Sequence, residues 1–256
     1  MFLKKLEQRG KPTLDLKTKI INEPILLTTY QYHSDFHLIM QYNWKYPFLV
    51  IEGNIGAGKT TLCKQLSEDF NTRLILESFD ENPFLSKFYE NPERHAFSVE
   101  LFFMIERYKQ LQESLSLTEA FQQFTIADYY LVKTLLFAQQ NLNEDEFSLF
   151  NNVFNIVSAN FPKPDLIVYL HRPVEELLKN IKKRGRSYEQ QITAEYLNTF
   201  QTAFFDFFRM ERDIPILIID VADMDFIDNT TYYQELIRLL IEDYRPGMNY
   251  VSISKG

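Results

Sequence analysis

Cysteine occurs once in the 256 residues, at Cys63, so neither an internal disulfide nor a thiolate metal centre is open to this chain. No uninterrupted apolar run approaches the ~18 residues that a membrane-spanning helix needs. A basic excess is missing too. Lys plus Arg number 27 against 35 Asp plus Glu, a formal net charge of −8, which gives no general attraction for the phosphates of a nucleic acid polymer. Residues 1–20 mix Lys with Leu and Ile but hold neither the apolar core of about 7–15 residues nor the small-residue cleavage site of a secretory signal. These absences lead to the expectation of a soluble, cytoplasmic protein with no membrane and no nucleic acid polymer as partner. What the chain has in quantity is aromatic: 23 Phe and 15 Tyr, most of which must be core. At 45% hydrophobic and 24% charged, the length suits one domain, at most two.

Up to about residue 46 polarity is mixed, Pro12 and Pro24 interrupt it, and no period of 2 or 3.6 is sustained. Residues 1–45 therefore read as an N-terminal extension, disordered or accessory, and residues 46–256 as the main domain. The alternative of a natural start at Met40 stays open. From residue 46 onward, short β-branched runs alternate with longer helical patterns, the signature of an α/β fold in which helices cover both faces of a parallel sheet. Five strands are predicted, over 48–52, 73–76, 124–128, 166–170 and 216–220. Helices are predicted near 59–69, 93–117, 129–140, 144–160, 173–183, 192–212 and 230–243.

Residues 53–60 read Gly53-Asn54-Ile55-Gly56-Ala57-Gly58-Lys59-Thr60, a G-x-x-x-x-G-K-[ST] loop between the strand FLVIE and the helical TTLCKQL. In that context the glycines let backbone N–H groups point inward at phosphate oxygens, and the helix N-terminus adds its positive end. Lys59 is expected to bridge the β and γ phosphates, with Thr61 beside it and the Thr60 hydroxyl on Mg²⁺. Cys63, one turn further on, reads as a small packed thiol. Phosphoryl transfer also needs a metal-holding acid at a neighbouring strand end, and Asp128 closes the run Phe124-Thr125-Ile126-Ala127-Asp128. Asp128 serves equally as the N-cap of a helix starting at Tyr129.

Further blocks are Glu77-Ser78-Phe79-Asp80-Glu81-Asn82-Pro83-Phe84-Leu85, then Phe88-Tyr89 and Pro92-Glu93-Arg94 with Phe97 and Glu100, and Lys183-Arg184-Gly185-Arg186-Ser187 with Glu189-Gln190. Together with IEGNIGAGKTTL, in this order over about 47–245, they resemble the deoxynucleoside kinase family, its bacterial deoxyadenosine and deoxyguanosine kinases in particular. The resemblance implies a P-loop kinase fold with an Arg-rich lid, and transfer of phosphate from ATP to the 5′-hydroxyl of a purine 2′-deoxynucleoside, with Mg²⁺. By the same resemblance Glu77 is the general base, Tyr89 and Glu189 hold the sugar 3′-hydroxyl, and Arg184 and Arg186 form the lid over the phosphates. Glu100 and Arg107 read the nucleobase edge, Phe137 stacks on it, and Leu85 and Phe88 wall it. Taken singly, Glu77 is equally a surface acid at a strand end, and Tyr89, Leu85, Phe88 and Phe137 are equally core.

Glu100 and Arg107 stand seven residues apart, two turns on one helix face, which supports a shared target. Arg107 can donate to the base or simply neutralise Glu100. Where many relatives carry Gln, Glu100 when ionised only accepts, which suits the N1–H and 2-amino donors of guanine. A second departure is Asp128-Tyr129-Tyr130, where many relatives have an acid followed by Arg. The resemblance further implies a homodimer through helices 93–117 and 144–160, whose Phe102, Phe103, Phe147, Phe150 and Phe154 exceed what one sheet face needs.

Three rivals remain. A thymidylate-type nucleoside monophosphate kinase needs extra arginines for the acceptor's phosphate and an Asp-Arg pair that is absent. A GTPase needs an Asn-Lys-x-Asp reader, where Leu170-His171-Arg172-Pro173 stands. A non-catalytic scaffold has no need to keep Lys59, Thr60, Glu77 and Arg184 together.

Overall fold

The computed structural model describes residues 42–77, 82–116, 124–159, 161–222, 224, 226 and 229–252. The extension expected over 1–45 therefore lies outside the described residues up to residue 41, as do Ser78, Phe79, Asp80 and Glu81 of the Glu77 block. Tyr42 and Trp44, within that extension, pack on the domain: Trp44 stacks on Phe124 at 4.2 Å and meets Phe70 edge-on at 4.9 Å.

The elements run β1 (Phe48–Gly53), α1 (Lys59–Phe70), β2 (Arg73–Ile75), α2 (Leu85–Glu90), α3 (Pro92–Ser116), β3 (Thr125–Ala127), α4 (Val132–Asn141), α5 (Glu144–Ser158), β4 (Leu166–His171), α6 (Val174–Arg184), a 3₁₀ turn (Ser187–Glu189), α7 (Ala194–Met210), β5 (Pro215–Asp220), α8 (Thr230–Leu240) and β6 (Gly247–Ser252). All strand pairs are parallel, in the order β2-β3-β1-β4-β5-β6. Among the described residues the sheet has six strands, not the five expected. β6 reads GMNYVS and is half exposed at the sheet edge, so it lacks the continuous apolar run that marks buried parallel strands. α2, only six residues long, is too short to show a helical period.

Alternate residues of each strand face opposite layers, as the pleat requires. Leu49, Ile51, Ile126 and Val168 join Leu62 and Leu66 of α1, Leu177 and Ile181 of α6, and Leu236 of α8. Val50, Ala127, Ile167 and Tyr169 join Met104 of α3, Leu136 of α4, Phe150 of α5, and Phe204 and Phe208 of α7. β1 sits between β3 and β4, so the chain leaves it for one side of the sheet and returns to the other. That reversal opens a crevice at the carboxyl ends of the strands, where open α/β sheets bind ligands. The ends of β1, β2 and β3 deliver Gly53, Glu77 and Asp128 to it.

Helix α4 begins at Val132 rather than at 129, and no side chain caps it. Phe103, Phe150 and Phe154, expected to exceed the needs of one sheet face, are at most 8% exposed within the protomer. Among the described residues, the large apolar side chains exposed on α3 and α5 are Ile105, Leu149 and Ile156.

Candidate active site

The loop after β1 is built from residues whose own bonds hold it open. Asn54 is buried; its amide donates to the Leu197 carbonyl at 2.7 Å while its side-chain oxygen accepts from Ile55 N–H at 2.9 Å. Asn180 of α6 donates to the Gly56 carbonyl at 2.9 Å. Two glycines are required by sterics. Gly56 has φ 85° and a Cβ there would lie 2.8 Å from the Leu177 carbonyl oxygen; Gly58 has φ 97° and a Cβ would meet the Phe226 ring at 2.9 Å. The Lys59 ammonium curls back on the loop, donating to the carbonyls of Gly53 at 2.9 Å and Asn54 at 3.0 Å. Burial, with the nearby Lys133 cation adding to it, lowers the Lys59 pKa to about 8, which leaves it charged at neutral pH.

Asp128 is not a helix cap. Its Oδ2 accepts from the Thr60 hydroxyl at 2.5 Å and its Oδ1 from the Glu77 N–H at 2.8 Å, so it ties the ends of β2 and β3 to the first turn of α1. Burial raises its pKa. Cys63 is fully buried, and burial pushes its thiol well above the ordinary value, as a packed, unreactive side chain requires.

Glu77, Lys59, Thr60, Thr61, Asp128, Tyr89, Glu100, Arg107, Phe137, Leu85, Phe88, Arg184, Arg186 and Glu189 all line one cavity of about 520 Å³, together with Ile55 and Gly56. Ala57, Gly58 and Lys183 open instead onto an adjoining cavity of about 640 Å³ with Arg172 and Phe226. Glu77 is held on both oxygens in the first. Its Oε1 accepts from Arg107 Nε at 2.8 Å and from Arg107 Nη2, and its Oε2 from Lys133 Nζ at 2.7 Å. Burial alone would raise its pKa, but Arg107 and Lys133 outweigh burial and bring it down to about 2.

Arg107 thus pairs directly with Glu77 rather than with Glu100, and its remaining Nη1 donates to the Thr134 hydroxyl at 2.5 Å. The two residues of the seven-residue pair therefore bond different protein partners. Glu100, 3% exposed, accepts instead from the Asn141 amide at 2.7 Å, and burial raises its pKa to about 7 against the lowering effect of that bond. Phe137 stacks on Phe200 with centroids 3.8 Å and planes 24° apart. Glu189 is held by both lid arginines, through Arg184 at 2.9 and 2.5 Å and Arg186 at 3.3 Å, so the lid and the expected sugar site share one carboxylate. Burial and the neighbouring Glu189 raise the Tyr89 phenol above its ordinary range, so it stays protonated and able to donate. Tyr129 turns away, its hydroxyl donating to Gln110 at 3.0 Å. His171 faces Gln201, ring nitrogen to amide 3.1 Å.

Sequence reasoning missed Lys133 and Asn141. Both sit on α4 outside any motif; the one available signal was Lys133 preceding Phe137 by one helical turn, hence sharing its face.

The profile of the deoxynucleoside kinase family matches residues 49–243. A deoxyguanosine kinase of Bacillus subtilis is 34% identical over 194 residues, 74% of this chain and 94% of that protein. A deoxyadenosine kinase of Lactobacillus acidophilus is 26% identical, covering 77% of this chain and 96% of the other. Among solved structures, the deoxyadenosine kinase of M. mycoides with bound dATP superposes with a TM-score of 0.65 at 24% identity, over 76% of this chain and 98% of that one, a likeness of fold. With the P-loop, the strand-end carboxylates and the lid arginines around one crevice, this chain belongs to the deoxynucleoside kinase family and is an enzyme that phosphorylates a nucleoside.

Proposed function

We propose that the chain transfers the γ-phosphoryl group of ATP to the 5′-hydroxyl of a purine 2′-deoxynucleoside in nucleotide salvage. The observation that carries this reading is the buried Glu77 carboxylate in the same cavity as the P-loop Lys59 and as Tyr89, Glu100 and Glu189. Glu77 accepts the proton of the sugar hydroxyl as its oxygen attacks phosphorus. A carboxylate held near 2 is a weak base, so it mainly orients the hydroxyl and takes the proton late, which suits a loose phosphoryl-transfer transition state. Lys59, Arg184 and Arg186 spread positive charge over the transferring group, and the inward N–H groups of 53–58 cradle the donor phosphates. A hard hydroxyl and carboxylate pair, Thr60 and Asp128 at 2.5 Å, fits Mg²⁺, which takes one or two carboxylates plus phosphate oxygens. When bound, Mg²⁺ neutralises phosphate charge. Among the described residues no cluster of three or more His, Cys, Asp or Glu side chains has metal-binding geometry.

Tyr89 and Glu189 take the 3′-hydroxyl, and the bulk of Tyr89 beside the sugar disfavours a ribose. Glu100 reads the base with Phe137 stacked on it and Leu85 and Phe88 as walls; its ionised form, acceptor only, favours guanine. The enzyme works in the cytoplasm; no described helix is long and apolar enough to cross a membrane, and the single thiol is buried. Exposed Ile105, Leu149 and Ile156, at 43%, 56% and 77%, support a homodimer through α3 and α5.

The test is Mg·ATP-dependent phosphorylation of the four deoxynucleosides, their ribose counterparts and thymidine monophosphate, with Glu77→Gln as control. Strong turnover of a purine deoxynucleoside, lost in the variant, is the expected result. Turnover of the monophosphate alone would replace this reading with the nucleotide kinase one.

A further inference from the structure

Lys133 has no part in any motif, yet it is one of the most constrained charges in the protein. It is 5% exposed, donates to Glu77 Oε2 at 2.7 Å, lines the cavity that holds the P-loop, and stands 5.7 Å from the centre of the Phe137 ring. Its charge is felt at Glu52, Glu77, Glu100 and Lys59, which places it among the reacting groups rather than at the rim. A buried lysine is costly to keep charged, and packing alone would be met by an apolar side chain of like volume.

The two oxygens of Glu77 are not equivalent. Arg107 takes Oε1 twice, and Lys133 is the cation on Oε2. An ammonium carries three protons in a tetrahedral spread, enough to bond Glu77 and also to meet a ligand in the cavity it lines. We propose that Lys133 is a catalytic residue that donates to the 5′-oxygen of the substrate while holding Glu77 Oε2 against it. This rests on the reaction proposed above. In the step, the 5′ O–H bond breaks and its proton passes to Glu77 Oε2. The freed electron pair forms the bond to the γ phosphorus, and the phosphorus–oxygen bond to the donor breaks with its pair leaving on the diphosphate. Lys133 keeps all its protons and stabilises the negative charge that grows on the attacking oxygen.

The test compares wild type, Lys133→Met, Lys133→Gln and Lys133→Arg, using the deoxynucleoside that the wild type turns over best and its 5′-deoxy analogue, which lacks the attacking hydroxyl. A positioned donor at developing charge is worth on the order of 10²-fold in kcat. We expect that loss in the Met and Gln variants, with KM for ATP unchanged and part of the rate restored in Arg. In binding, Lys133→Met should weaken the deoxynucleoside but leave the 5′-deoxy analogue untouched, because the lost contact is absent from that ligand. Equal weakening of both ligands, or kcat within about threefold of wild type in Met and Gln, would overturn the role of Lys133 while the reaction stands. A wild type that phosphorylates no deoxynucleoside would take down both. If Met does not fold, the Gln variant carries the same comparison.

Discussion

The ionisation of Glu100 should be visible as a pH-dependent stability difference. Its carboxyl is buried on α3, held by Asn141 and faced by Arg107 and Lys133, which favour the charge, and by Glu77, which opposes it; burial prevails and the pKa stands at about 7 against an ordinary 4.5. An acid whose folded pKa is raised keeps its proton in the folded chain where the unfolded chain has lost it. Stability is therefore full below 4.5, falls as pH rises through the window, and is lowest above 7. At ~1.4 kcal/mol for each tenfold, the full penalty is about 3 kcal/mol, of which under 1 is already present at pH 5. Glu100→Gln removes the titration and keeps the shape. Its stability relative to wild type should rise by about 2–3 kcal/mol between pH 5 and pH 8.5, on the order of 5–10 °C in Tm for a domain of this size. The assay is thermal and urea unfolding of both proteins, without ligand, at three pH values, so that any pH-independent packing effect cancels. A difference that does not change with pH would refute the reasoning. Ligand supplies the second half: deoxyguanosine affinity should strengthen as pH rises through 7 in wild type and stay flat in Glu100→Gln, whose preference moves toward deoxyadenosine.

Glu77→Gln should lower kcat by ~10²- to 10⁴-fold with ATP still bound, and cost about 3–5 kcal/mol in urea unfolding because two buried cations lose their counter-charge. Gly58→Ala puts a methyl 2.9 Å from the Phe226 ring on a backbone at φ 97°, so the loop must shift; ATP affinity, measured by calorimetry, should fall by an order of magnitude or more. Leu149→Glu with Ile156→Glu should give a monomer by light scattering with the fold intact by circular dichroism, since both side chains are exposed in the protomer. An unchanged mass would remove α5 from the interface.

Much of this protein follows from local sequence. The G-x-x-x-x-G-K-T spacing is enough to place a phosphate loop between a strand and a helix, because the glycine conformations and the helix end act within eight residues. Strands β1, β4 and β5 are legible because burial on both faces demands unbroken apolar runs. β6 escaped because an edge strand has no such demand. The charge partners needed the tertiary structure. Helical spacing puts Glu100 and Arg107 on one face, but a guanidinium pairs with the nearest buried carboxylate. The end of β2, thirty residues earlier in the chain, brings Glu77 there. Asp128 likewise reads as a metal-holding acid or a helix cap, and the cap is set aside only when Thr60 and the Glu77 N–H are seen to claim both its oxygens. Sequence by itself determined the loop, the layered α/β order and the family. Which acid each buried cation neutralises was decided by packing between segments far apart in the chain, because a buried charge selects its partner by distance in space.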